Sequence, residues 1–369
     1  MPPTIGLMMI VKNEAETLPR LAASLAGQID HYTIVDTGST DDTVALIPTL
    51  FADVPGQVIE DEWRGYGESR NVALEAARPH TDWLLTMDAD EVFQGALPRE
   101  LMENLPPEVT GVEASTRFGT MAYNTMRLVR SDAGWRWFNR VHEYLGLPDA
   151  TPNIVQTDDF AVVHEGDGGN RATKWMRELE LLRADYAEDP TNARTVMYLA
   201  RGFHDLGIFV EAVHWYQLRL SMGGWDEELW DTRFRLGVTL LASGRTAEGC
   251  GQLWEAWGER PWRAEPLGAL AEHYRNNGRW ELVWQACELA RRRCGALPLP
   301  DGATVPEHRD RLFVFTDVYE WRIAYEQSIA AWYVGEHQAG KELLDYVLAR
   351  QDLPADMRTA AENNRRYYE

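Results

Sequence analysis

The chain has 369 residues, enough for two domains, and its 58 acidic side chains outnumber the 36 basic ones to give a formal net charge of -22. This excess of acid argues against binding to a phosphate backbone, so a nucleic-acid partner is not expected. No apolar stretch approaches the roughly 20 residues of a membrane-spanning helix, so a membrane span is not expected either.

The start of the chain and its cysteines indicate a compartment. The first residues lack the basic segment of a signal peptide. The three cysteines form neither an even disulfide framework nor a metal-ligand spacing; they are Cys250, Cys287 and Cys294. A reducing, cytoplasmic location is therefore expected.

The first elements are a strand and a helix. Residues 4–11 form a continuous apolar run, which is typical of a buried parallel strand. Asn13 and Glu16 then match a capping box, with Asn13 as the N-cap. The helix is expected to continue to Gly27.

Strands and helices continue to alternate beyond this point. A second strand is predicted at 32–35 and runs into a polar turn, where Ser39 or Thr40 would cap the next helix. A third strand at 56–60 precedes a helix that opens at 65–71. This alternation predicts a parallel sheet with right-handed crossovers.

Two aspartates follow the next strand, 83–86. Asp88 and Asp90 are separated by one residue, and Glu91 adds a third acid. Because alternate residues of an extended segment point the same way, both aspartates would face one cleft at the carboxyl end of the strand, where open α/β sheets bind ligands. Packed carboxylates repel unless a hard cation lies between them and a partner, which indicates Mg²⁺ or Mn²⁺ bound to a nucleotide diphosphate. A solvated acidic turn is the alternative, since a single D-x-D motif is common.

The pattern changes after this acidic motif. Further strands are predicted at 111–116 and 125–130, and the segment 135–143 is rich in aromatic side chains and ends in His-Glu. A later apolar strand, 160–164, ends in a second histidine.

Four motifs occur together in the order and at the spacing of a known family. They are Met9-Ile10-Val11-Lys12-Asn13-Glu14, Val35-Asp36-Thr37-Gly38-Ser39-Thr40-Asp41, Ser69-Arg70-Asn71 and Asp88-Ala89-Asp90-Glu91. Through these residues the first 165 positions resemble the nucleotide-binding half of a GT-A fold, family-2 glycosyltransferase. The resemblance implies an α/β, Rossmann-like and mostly parallel sheet, a UDP-sugar donor and a Mn²⁺ or Mg²⁺ ion.

The resemblance also implies roles for single residues. Asp36 would contact the uracil of the donor, Asp88 its ribose, and Arg70 would lie near the base or the diphosphate. Further nucleotide contacts would come from the first motif: Val11, Asn13 and Glu14.

The metal and the base are assigned in the same way. Asp90 would hold the metal and His164 would complete its site, as neutral imidazole suits Mn²⁺. Glu143 would be the catalytic base, since an ionised carboxylate can take a proton from an attacking hydroxyl or thiol.

Each of these residues also has a structural interpretation. Asp36 could serve turn chemistry alone, and Arg70 could be a surface helix residue. Glu143 could form an ion pair with Arg140, and His142 could be a buried histidine bonded to a carbonyl. A further pair is expected to be core rather than a platform for a sugar: Trp135 and Trp137.

A polar, glycine-containing segment at 167–171 follows the second histidine. Arg171 and Lys174 lie just beyond that histidine, so a mobile loop here could close over the diphosphate and exclude water. A simple interdomain linker is the alternative.

The second half of the chain has the pattern of helix pairs separated by glycines. Gly207, Gly244 and Gly278 are 37 and 34 residues apart, close to the tetratricopeptide period of about 34. Gly335 follows after a Pro-rich insertion around 298–302. From residue 172 onward no strand is predicted, and we expect about four degenerate repeats, whose concave surface commonly binds peptides or another subunit.

The predicted architecture is therefore a catalytic domain, 1–168, followed by an all-α tetratricopeptide-like domain, 169–369. It resembles peptide and protein glycosyltransferases, including those that modify cysteines of bacteriocin peptides. That resemblance implies a metal-dependent inverting enzyme that moves a hexose from a UDP-sugar to a peptide or protein, with repeats that bind the acceptor or form a homodimer. The alternatives are a glycan, lipid-linked or hydroxylated nucleic-acid acceptor, or a binding scaffold without catalytic activity.

Overall fold

The computed structural model describes residues 2–167, 174–303, 310 and 312–369, with residues 174 and 175 described by their backbone alone. It divides into two compact units, Met1–Tyr198 and Leu199–Glu369. The compact units meet between residues 198 and 199, which is a division by contacts. The predicted domain boundary after residue 168 stays a prediction. Within the described ranges, no helix is long and apolar enough to cross a membrane.

The first unit contains strands from its beginning to its last third. They are β1 (Ile5–Val11), β2 (His31–Asp36), β3 (Gly56–Glu60), β4 (Trp83–Thr86), β5 (Glu91–Gly95), β6 (Gly111–Phe118), β7 (Met121–Arg130), β8 (Arg136–Phe138), β9 (Tyr144–Gly146) and β10 (Ile154–His164). Its helices are α1 (Leu18–Ser24), α2 (Thr43–Leu50), α3 (Tyr66–Ala77), α4 (Arg99–Asn104) and α5 (Lys174–Glu188), and α6 (Ala193–Asp205) crosses into the second unit.

One large sheet organises this unit. Its strands run in the order β3-β2-β1-β4-β7-β6-β10-β5, while β8 and β9 form a separate hairpin. The β3-β2-β1-β4 part is parallel, as predicted from the alternation of strands and helices. β7 pairs antiparallel with both β4 and β6, and β10 runs parallel to β6, so the whole sheet is mixed.

Helices cover the sheet on two faces, and β1 shows why its run is apolar without alternation. Leu7 and Met9 belong to a buried cluster with Leu18 and Leu21 of α1. Met8, which points the other way, packs in a second cluster with Leu74 of α3. A strand buried on both faces needs apolar residues at every position.

Two predicted helix starts are wrong. α1 begins at Leu18 after Thr17, so Asn13 does not cap it; Asn13 instead has a left-handed φ of 57°, which Asn tolerates better than most residues. α2 begins at Thr43 after Asp42, so neither Ser39 nor Thr40 is its cap. In both cases the polar side chains bond to a neighbouring loop rather than to the helix that follows.

The second unit consists of paired helices. After α6 come α7 (Phe209–Ser221), α8 (Asp226–Ala242), α9 (Thr246–Glu259), α10 (Glu265–Asn276), α11 (Trp280–Arg293), α12 (Ile323–Val334), α13 (His337–Ala349) and α14 (Ala355–Arg365). A π-helical turn, Val318–Arg322, leads into α12. A two-residue strand, β11 (Val314–Phe315), contradicts the expectation that no strand follows residue 172.

The predicted glycines lie at the turns of these pairs. Gly207, Gly244, Gly278 and Gly335 separate α6 from α7, α8 from α9, α10 from α11 and α12 from α13. All four have φ between 65° and 86°, a conformation that is costly for residues with a Cβ. The spacing of these glycines therefore predicted four helix pairs correctly, and the Pro-rich insertion lies between α11 and α12.

Candidate active site

The carboxyl ends of three parallel strands bring the sequence motifs together. Val11 at the end of β1 lies opposite Asp36 at the end of β2, and Met8 lies opposite Thr86 at the end of β4. The loops that follow these strands therefore share one edge of the sheet. This is the edge at which open α/β sheets bind ligands.

The loops after β1 and β2 are fastened to each other. The Oδ1 of Asn13 accepts the backbone N–H of Thr40 at 2.7 Å, and the Oγ of Ser39 accepts the N–H of Asn13 at 2.9 Å. The Oγ1 of Thr43 accepts the N–H of Glu14 at 2.8 Å, and the carbonyl of Val11 accepts a backbone bond from the second loop. Val11, Asn13 and Glu14 thus lie in one hydrogen-bonded structure at the strand ends.

Asp36 is buried and serves the turn that follows it. Its Oδ2 accepts the backbone N–H groups of Gly38 at 3.1 Å and Ser39 at 3.0 Å. Asp36 therefore takes part in the turn, as the structural interpretation predicted. Each carboxylate oxygen has more than one lone pair, so these bonds leave capacity for a ligand N–H.

Arg70 joins two acids from distant parts of the chain. Its Nη2 donates to Oδ1 of Asp88 at 2.5 Å and its Nε donates to Oε1 of Glu143 at 2.7 Å. Its side chain is 10% exposed, which contradicts the surface-helix interpretation, and its guanidinium lies 5.0 Å from the ring centre of Trp137. Burial acts to lower the pKa of Arg70, but the two carboxylates outweigh it and raise the pKa, so the group stays charged.

Asp88 remains reachable by a ligand although it is paired. Its side chain is 39% exposed, against 13% for Glu143. Desolvation acts to raise the pKa of Asp88, but the charge and hydrogen bond of Arg70 are together stronger, so the pKa lies below its ordinary value. Asp88 is therefore an ionised hydrogen-bond acceptor whose position is fixed by Arg70.

The loop between Asp88 and Asp90 is fixed by a second, deeper ion pair. Arg127 of β7 donates to both carboxylate oxygens of Glu91, at 2.8 and 2.9 Å, and both side chains are buried. The Oε2 of Glu91 also accepts the backbone N–H of Asp88 at 2.8 Å, while Arg127 donates to the carbonyl of Thr86. Desolvation raises the pKa of Glu91 even though Arg127 opposes it.

Asp90 and His164, the two residues assigned to a metal from the sequence, lie side by side. The Nδ1 of His164 is 3.4 Å from Oδ1 of Asp90, because β10 pairs with β5 in the register that places His164 opposite Glu91. The N–H of Glu165 also donates to the carbonyl of Asp90 at 3.0 Å. An imidazole and a carboxylate are a suitable donor set for Mn²⁺.

The described side chains do not by themselves form a complete metal cage. Within the described residues, no group of three or more His, Cys, Asp or Glu side chains is arranged to hold a metal. Mg²⁺ is usually bound through one or two carboxylates plus substrate phosphates and water, so two protein ligands suit a metal that arrives with a diphosphate.

Glu14 adds a further negative charge to this cleft. Partial burial raises its pKa, and the charges of Asp90 and Asp88 add to that rise, while a hydrogen bond from Thr17 opposes it. The carboxylates of Glu14, Asp88 and Asp90 therefore interact electrostatically across the strand ends. Such a cluster favours a cation between them and an anionic ligand.

Glu143 lies on an irregular segment between β8 and β9. The two neighbouring residues Asn139 and His142 have positive φ values of 69° and 51°. The ring of His142 is half-buried and stacks on Tyr198 with centroids 3.7 Å apart. Glu143 pairs with Arg70 and not with Arg140.

The partners of Arg140 lie elsewhere. Its Nη2 is 2.6 Å from Glu188 and its Nη1 is 3.0 Å from Asp185, both on α5. The predicted pairing of Glu143 with Arg140 is thus wrong, but Glu143 does form an ion pair, with Arg70. Trp135 is 1% exposed and belongs to the core, as expected.

Asn71 belongs to the third sequence motif, but no role was predicted for it. Its Nδ2 donates to the carbonyl of Trp137 at 3.0 Å and its Oδ1 accepts the N–H of Trp137 at 2.9 Å. Gly67, one helical turn earlier, approaches so closely that a Cβ there would lie 2.3 Å from the carbonyl oxygen of Asn139. The helix α3 and the Glu143 segment are therefore held together on both sides of Arg70.

Arg127 was also missed, because no motif connects it to Glu91. The available signal was a single arginine at a position of β7 where apolar neighbours predict burial. Of the remaining predicted residues, Arg171 lies outside the described residues, and so does the side chain of Lys174. Asp167, just before them, forms a two-bond ion pair with Arg20 at 2.7 and 2.8 Å.

The site is thus a cluster of acidic and arginine side chains at the carboxyl ends of strands in an α/β sheet. Nucleotide-binding domains of the α/β class have their ligand sites at this edge. Residues 7–163 match the family "Glycosyl transferase family 2". The match to family 2 thus lies in the first half of this chain, and tetratricopeptide-like helix pairs follow it.

One relative is named as a repeat protein and others are named as glycosyltransferases, and both kinds of name agree with this two-part architecture. The chain is 32% identical to a TPR repeat-containing protein of Synechococcus elongatus over 50% of this chain and 49% of that protein. It is 24% identical to the SPbeta prophage-derived glycosyltransferase SunS of Bacillus subtilis, over 59% and 54%, and 31% identical to the lipopolysaccharide core biosynthesis glycosyltransferase LpsC of Rhizobium meliloti, over 46% and 60%. The chain thus spans about half the length of the curated relatives it matches.

Proposed function

We propose that this protein is a metal-dependent, inverting glycosyltransferase that moves a hexose from a UDP-sugar to a peptide or protein. The observation that carries the proposal is the meeting of Asp88, Asp90, His164 and Glu143 at one edge of the sheet, with Arg70 joining Asp88 to Glu143. The match of this half of the chain to family 2 supports it.

The donor would bind along the strand ends. Asp36 would accept the imide N–H of uracil, and Asp88 would accept a ribose hydroxyl. Val11, Asn13 and Glu14 would border the nucleotide from the first loop. The exposed fraction of Asp88 and the rigid connection between the first two loops support this placement.

Asp90 and His164 would hold Mn²⁺ or Mg²⁺ together with the donor diphosphate. When bound, the metal would offset the negative charge of the leaving diphosphate. Arg171 and Lys174 would add positive charge on a segment that closes over the diphosphate and excludes water. For these two residues the proposal rests on the sequence alone.

Glu143 would act as the base toward the acceptor. Arg70 holds one of its oxygens, and Oε2 makes no hydrogen bond within the described part of the chain. That oxygen would take the proton of the attacking hydroxyl or thiol while the nucleophile adds to the anomeric carbon. Attack from the side opposite the diphosphate would invert the anomeric configuration.

The second domain would select the acceptor. Paired helices of the tetratricopeptide type present continuous surfaces that suit an extended peptide or another subunit. A peptide or protein acceptor is the first candidate, and a homodimer is a further use of the same surface.

A glycan acceptor is the second candidate. The observation in its favour is the similarity to LpsC, whose name places that protein in lipopolysaccharide core biosynthesis. Transfer to denatured peptide mixtures against transfer to purified core oligosaccharides would separate the two candidates.

The experiment that tests the proposal needs no acceptor. The protein is incubated with a panel of UDP-hexoses and Mn²⁺, and UDP release by slow hydrolysis is measured. We expect release from one sugar and a metal-dependent thermal stabilisation by UDP, because a ligand that binds only the folded state stabilises it. An absence of both effects would favour the scaffold interpretation.

A further inference from the structure

The helical unit contains a cavity that plays no part in the donor site. Its volume is about 210 Å³. Its walls come from α6, α7, α8, α10, β11 and the π-helical turn before α12; the lining residues that carry the argument are His204, Tyr216, Arg235, Ala269, Glu272 and Phe315.

The walls are mostly apolar and aromatic, and one buried hydroxyl lies among them. Tyr216 is fully buried, yet its hydroxyl has no hydrogen-bond partner in the described part of the chain. Burying a hydroxyl without a partner costs free energy, and native structures seldom leave one so. The orphaned hydroxyl of Tyr216 therefore indicates that something polar completes this cavity.

Ion pairs with oppositely charged neighbours largely neutralise the charged groups of the wall. The Nε of Arg235 donates to Asp231 at 2.7 Å, and Glu265 accepts both bonds of Arg263 at 2.9 Å. Arg322 pairs with Asp317. These pairs remove most of the charge of the wall, but two guanidinium groups remain close to the cavity.

His204 contributes a hydrogen-bond acceptor. Thr239 donates its hydroxyl proton to the carbonyl of Arg235 at 2.7 Å, so in its 2.8 Å contact with Nδ1 of His204 it must accept. Nδ1 therefore carries the proton, and burial lowers the pKa of His204, which keeps the ring neutral. Its Nε2 is then an acceptor.

Glu272 offers a second acceptor on the same cavity. It is exposed, and within the described residues it has neither an ion pair nor a hydrogen bond. The groups that remain to be matched are thus a carboxylate, an imidazole nitrogen and a phenol. A ligand that satisfies them needs an apolar body that ends in a hydrogen-bond donor.

We propose that this cavity is a specificity pocket for one tyrosine or tryptophan side chain of the acceptor polypeptide. The proposal rests on the proposed function, because it assumes that the helical unit binds a peptide. An aromatic ring fits the walls formed by residues such as Phe234 and Phe315, and its O–H or N–H meets the open acceptors.

Size and charge exclude the competing ligands. Typical small-molecule pockets measure about 300–1,000 Å³, so a nucleotide or a whole sugar chain is too large for 210 Å³. A lysine or arginine side chain would be attracted to Glu272 but would also meet the guanidinium groups of Arg235 and Arg322, which line the same cavity. The net charge of -22 nevertheless favours an acceptor whose flanking residues are basic.

The test uses a fluorescein-labelled peptide, Lys-Gly-Ser-Tyr-Ser-Gly-Lys, and versions with Trp, Phe, Lys or Ala in place of Tyr. Binding to the full chain is measured by fluorescence anisotropy, without donor or metal. We expect the Tyr and Trp peptides to bind about 10–100-fold more tightly than the Ala peptide, the usual value of burying one large side chain. The Phe and Lys peptides should bind more weakly than the Tyr peptide.

Variants locate the effect in the cavity. Ala269→Leu fills the space from α10 and should lower the affinity of the Tyr peptide to that of the Ala peptide. The matched control is Ala247→Leu, at an exposed position of α9 outside the lining, which should bind like the parent protein. Tyr216→Phe removes the orphaned hydroxyl and should narrow the difference between the Tyr and Phe peptides.

Several results would overturn the pocket. They are equal affinity for the Tyr and Ala peptides, no binding of any peptide, or undiminished binding of the Tyr peptide by a folded Ala269→Leu variant. UDP release from a UDP-hexose is measured on the same samples. If release persists while the pocket fails, the glycosyltransferase proposal stands alone; if release fails while Tyr binding persists, the pocket belongs to a peptide-binding protein of another kind.

Discussion

Both units bury arginine–carboxylate pairs, but they place them differently. In the first unit the pair of Arg70 and Asp88 leaves 39% of the aspartate side chain exposed at a strand end. In the helical unit Arg263 and Glu265 are each 1% exposed, and the glutamate also accepts the hydroxyl of Tyr319. One arrangement presents a fixed charge outward, and the other encloses it.

The difference between the two pairs is how much of the carboxylate solvent can reach. A fully enclosed ion pair often contributes little net stability, but removing one partner is costly because the other charge stays buried. A half-exposed pair at a strand end sacrifices part of that enclosure and keeps acceptor capacity for something else. The same chemical pair thus stays partly open to solvent in one unit and is enclosed in the other.

The largest expected effect comes from Asp90→Ala. Loss of this carboxylate should abolish metal-dependent UDP binding and donor turnover, while folding survives because nearby acids lose a repelling neighbour. Isothermal titration with UDP and Mn²⁺ measures the first effect, and circular dichroism the second. Unchanged UDP release at equal folded concentration would contradict the assignment.

The second effect concerns Glu143→Gln, which keeps the shape of the side chain but cannot take a proton. Transfer should fall by about 10²–10⁴-fold, with donor binding close to normal. The measurement is transfer rate against pH.

One control variant and two possible outcomes interpret that profile. Arg70→Lys disturbs the position of Glu143 without removing it, so it should change donor affinity and rate together. A Glu143→Gln variant with parental rates at every pH would rule out Glu143 as the base, and rescue only at high pH would indicate a thiol acceptor, whose thiolate forms near its pKa of about 8.5.

The third prediction compares the two units directly. Arg127→Met and Arg263→Met each leave a buried glutamate without its partner, so each should lower the unfolding free energy of its own unit by about 3–5 kcal/mol. Only Arg127→Met should also weaken UDP and Mn²⁺ binding, because Glu91 then loses its hold on the Asp88 amide. Hydrogen exchange of peptides from each unit reports stability, and titration reports binding.

A double variant sharpens this comparison. Glu91→Leu added to Arg127→Met removes the stranded charge, so much of the stability should return while UDP affinity stays low. Recovery of both properties together would show that Arg127 acts on stability alone. Loss of UDP binding in a folded Arg263→Met variant would remove the distinction between the units.

The fourth effect is smaller and concerns the base of the donor. Asp36→Ala should cost about 1.5–3 kcal/mol of UDP binding, the value of a hydrogen bond to a charged group. Asp36→Asn keeps an acceptor for the Gly38 and Ser39 amides, so it separates turn stability from base recognition. If UDP and free pyrophosphate lose affinity equally, Asp36 does not contact the base.

The smallest effect is a pH dependence at Glu14. Its pKa is raised above the ordinary 4.5 by burial and by nearby aspartates, so its contribution to stability is complete below that value and is lost as pH rises through the folded pKa. Glu14→Gln avoids this loss and should be more stable than the parent by up to about 0.5 kcal/mol at neutral pH.

Urea unfolding of both proteins across pH measures this gain. The difference should shrink in acid, where Glu14 is protonated in both states, and also when UDP and Mn²⁺ are present. A gain of the same size at every pH would contradict an electrostatic origin.

Local patterns predicted the elements of this fold well. The apolar runs of β1 and β4 and the glycines between helix pairs act over a few residues, and the structure confirms them. The predicted capping box failed because Asn13 and Ser39 bond to each other's loops, a competition that a linear pattern does not show.

The candidate site was predicted in its parts but not in its connections. Asp90 and His164 could be named from motifs, and their strands bring them within 3.4 Å. The contact of Arg70 with Glu143 spans 73 residues and that of Arg127 with Glu91 spans 36, and no local periodicity reports either. Such pairs depend on sheet order, which a single sequence leaves open.

The double bond of Asn71 to Trp137 has a consequence for how this domain can change. A side-chain amide supplies the donor and the acceptor that a neighbouring strand would otherwise provide, so the β8–β9 hairpin is anchored to α3 by Asn71, together with bonds from Arg70 and Tyr66, and not by the ladder of the large sheet. The hairpin can therefore gain, lose or exchange residues beyond that anchor without altering the register of any strand that carries the nucleotide motifs. Exchanging residues of the Glu143 segment would then change the side of the site proposed for the acceptor and leave the strand ends proposed for the donor in place.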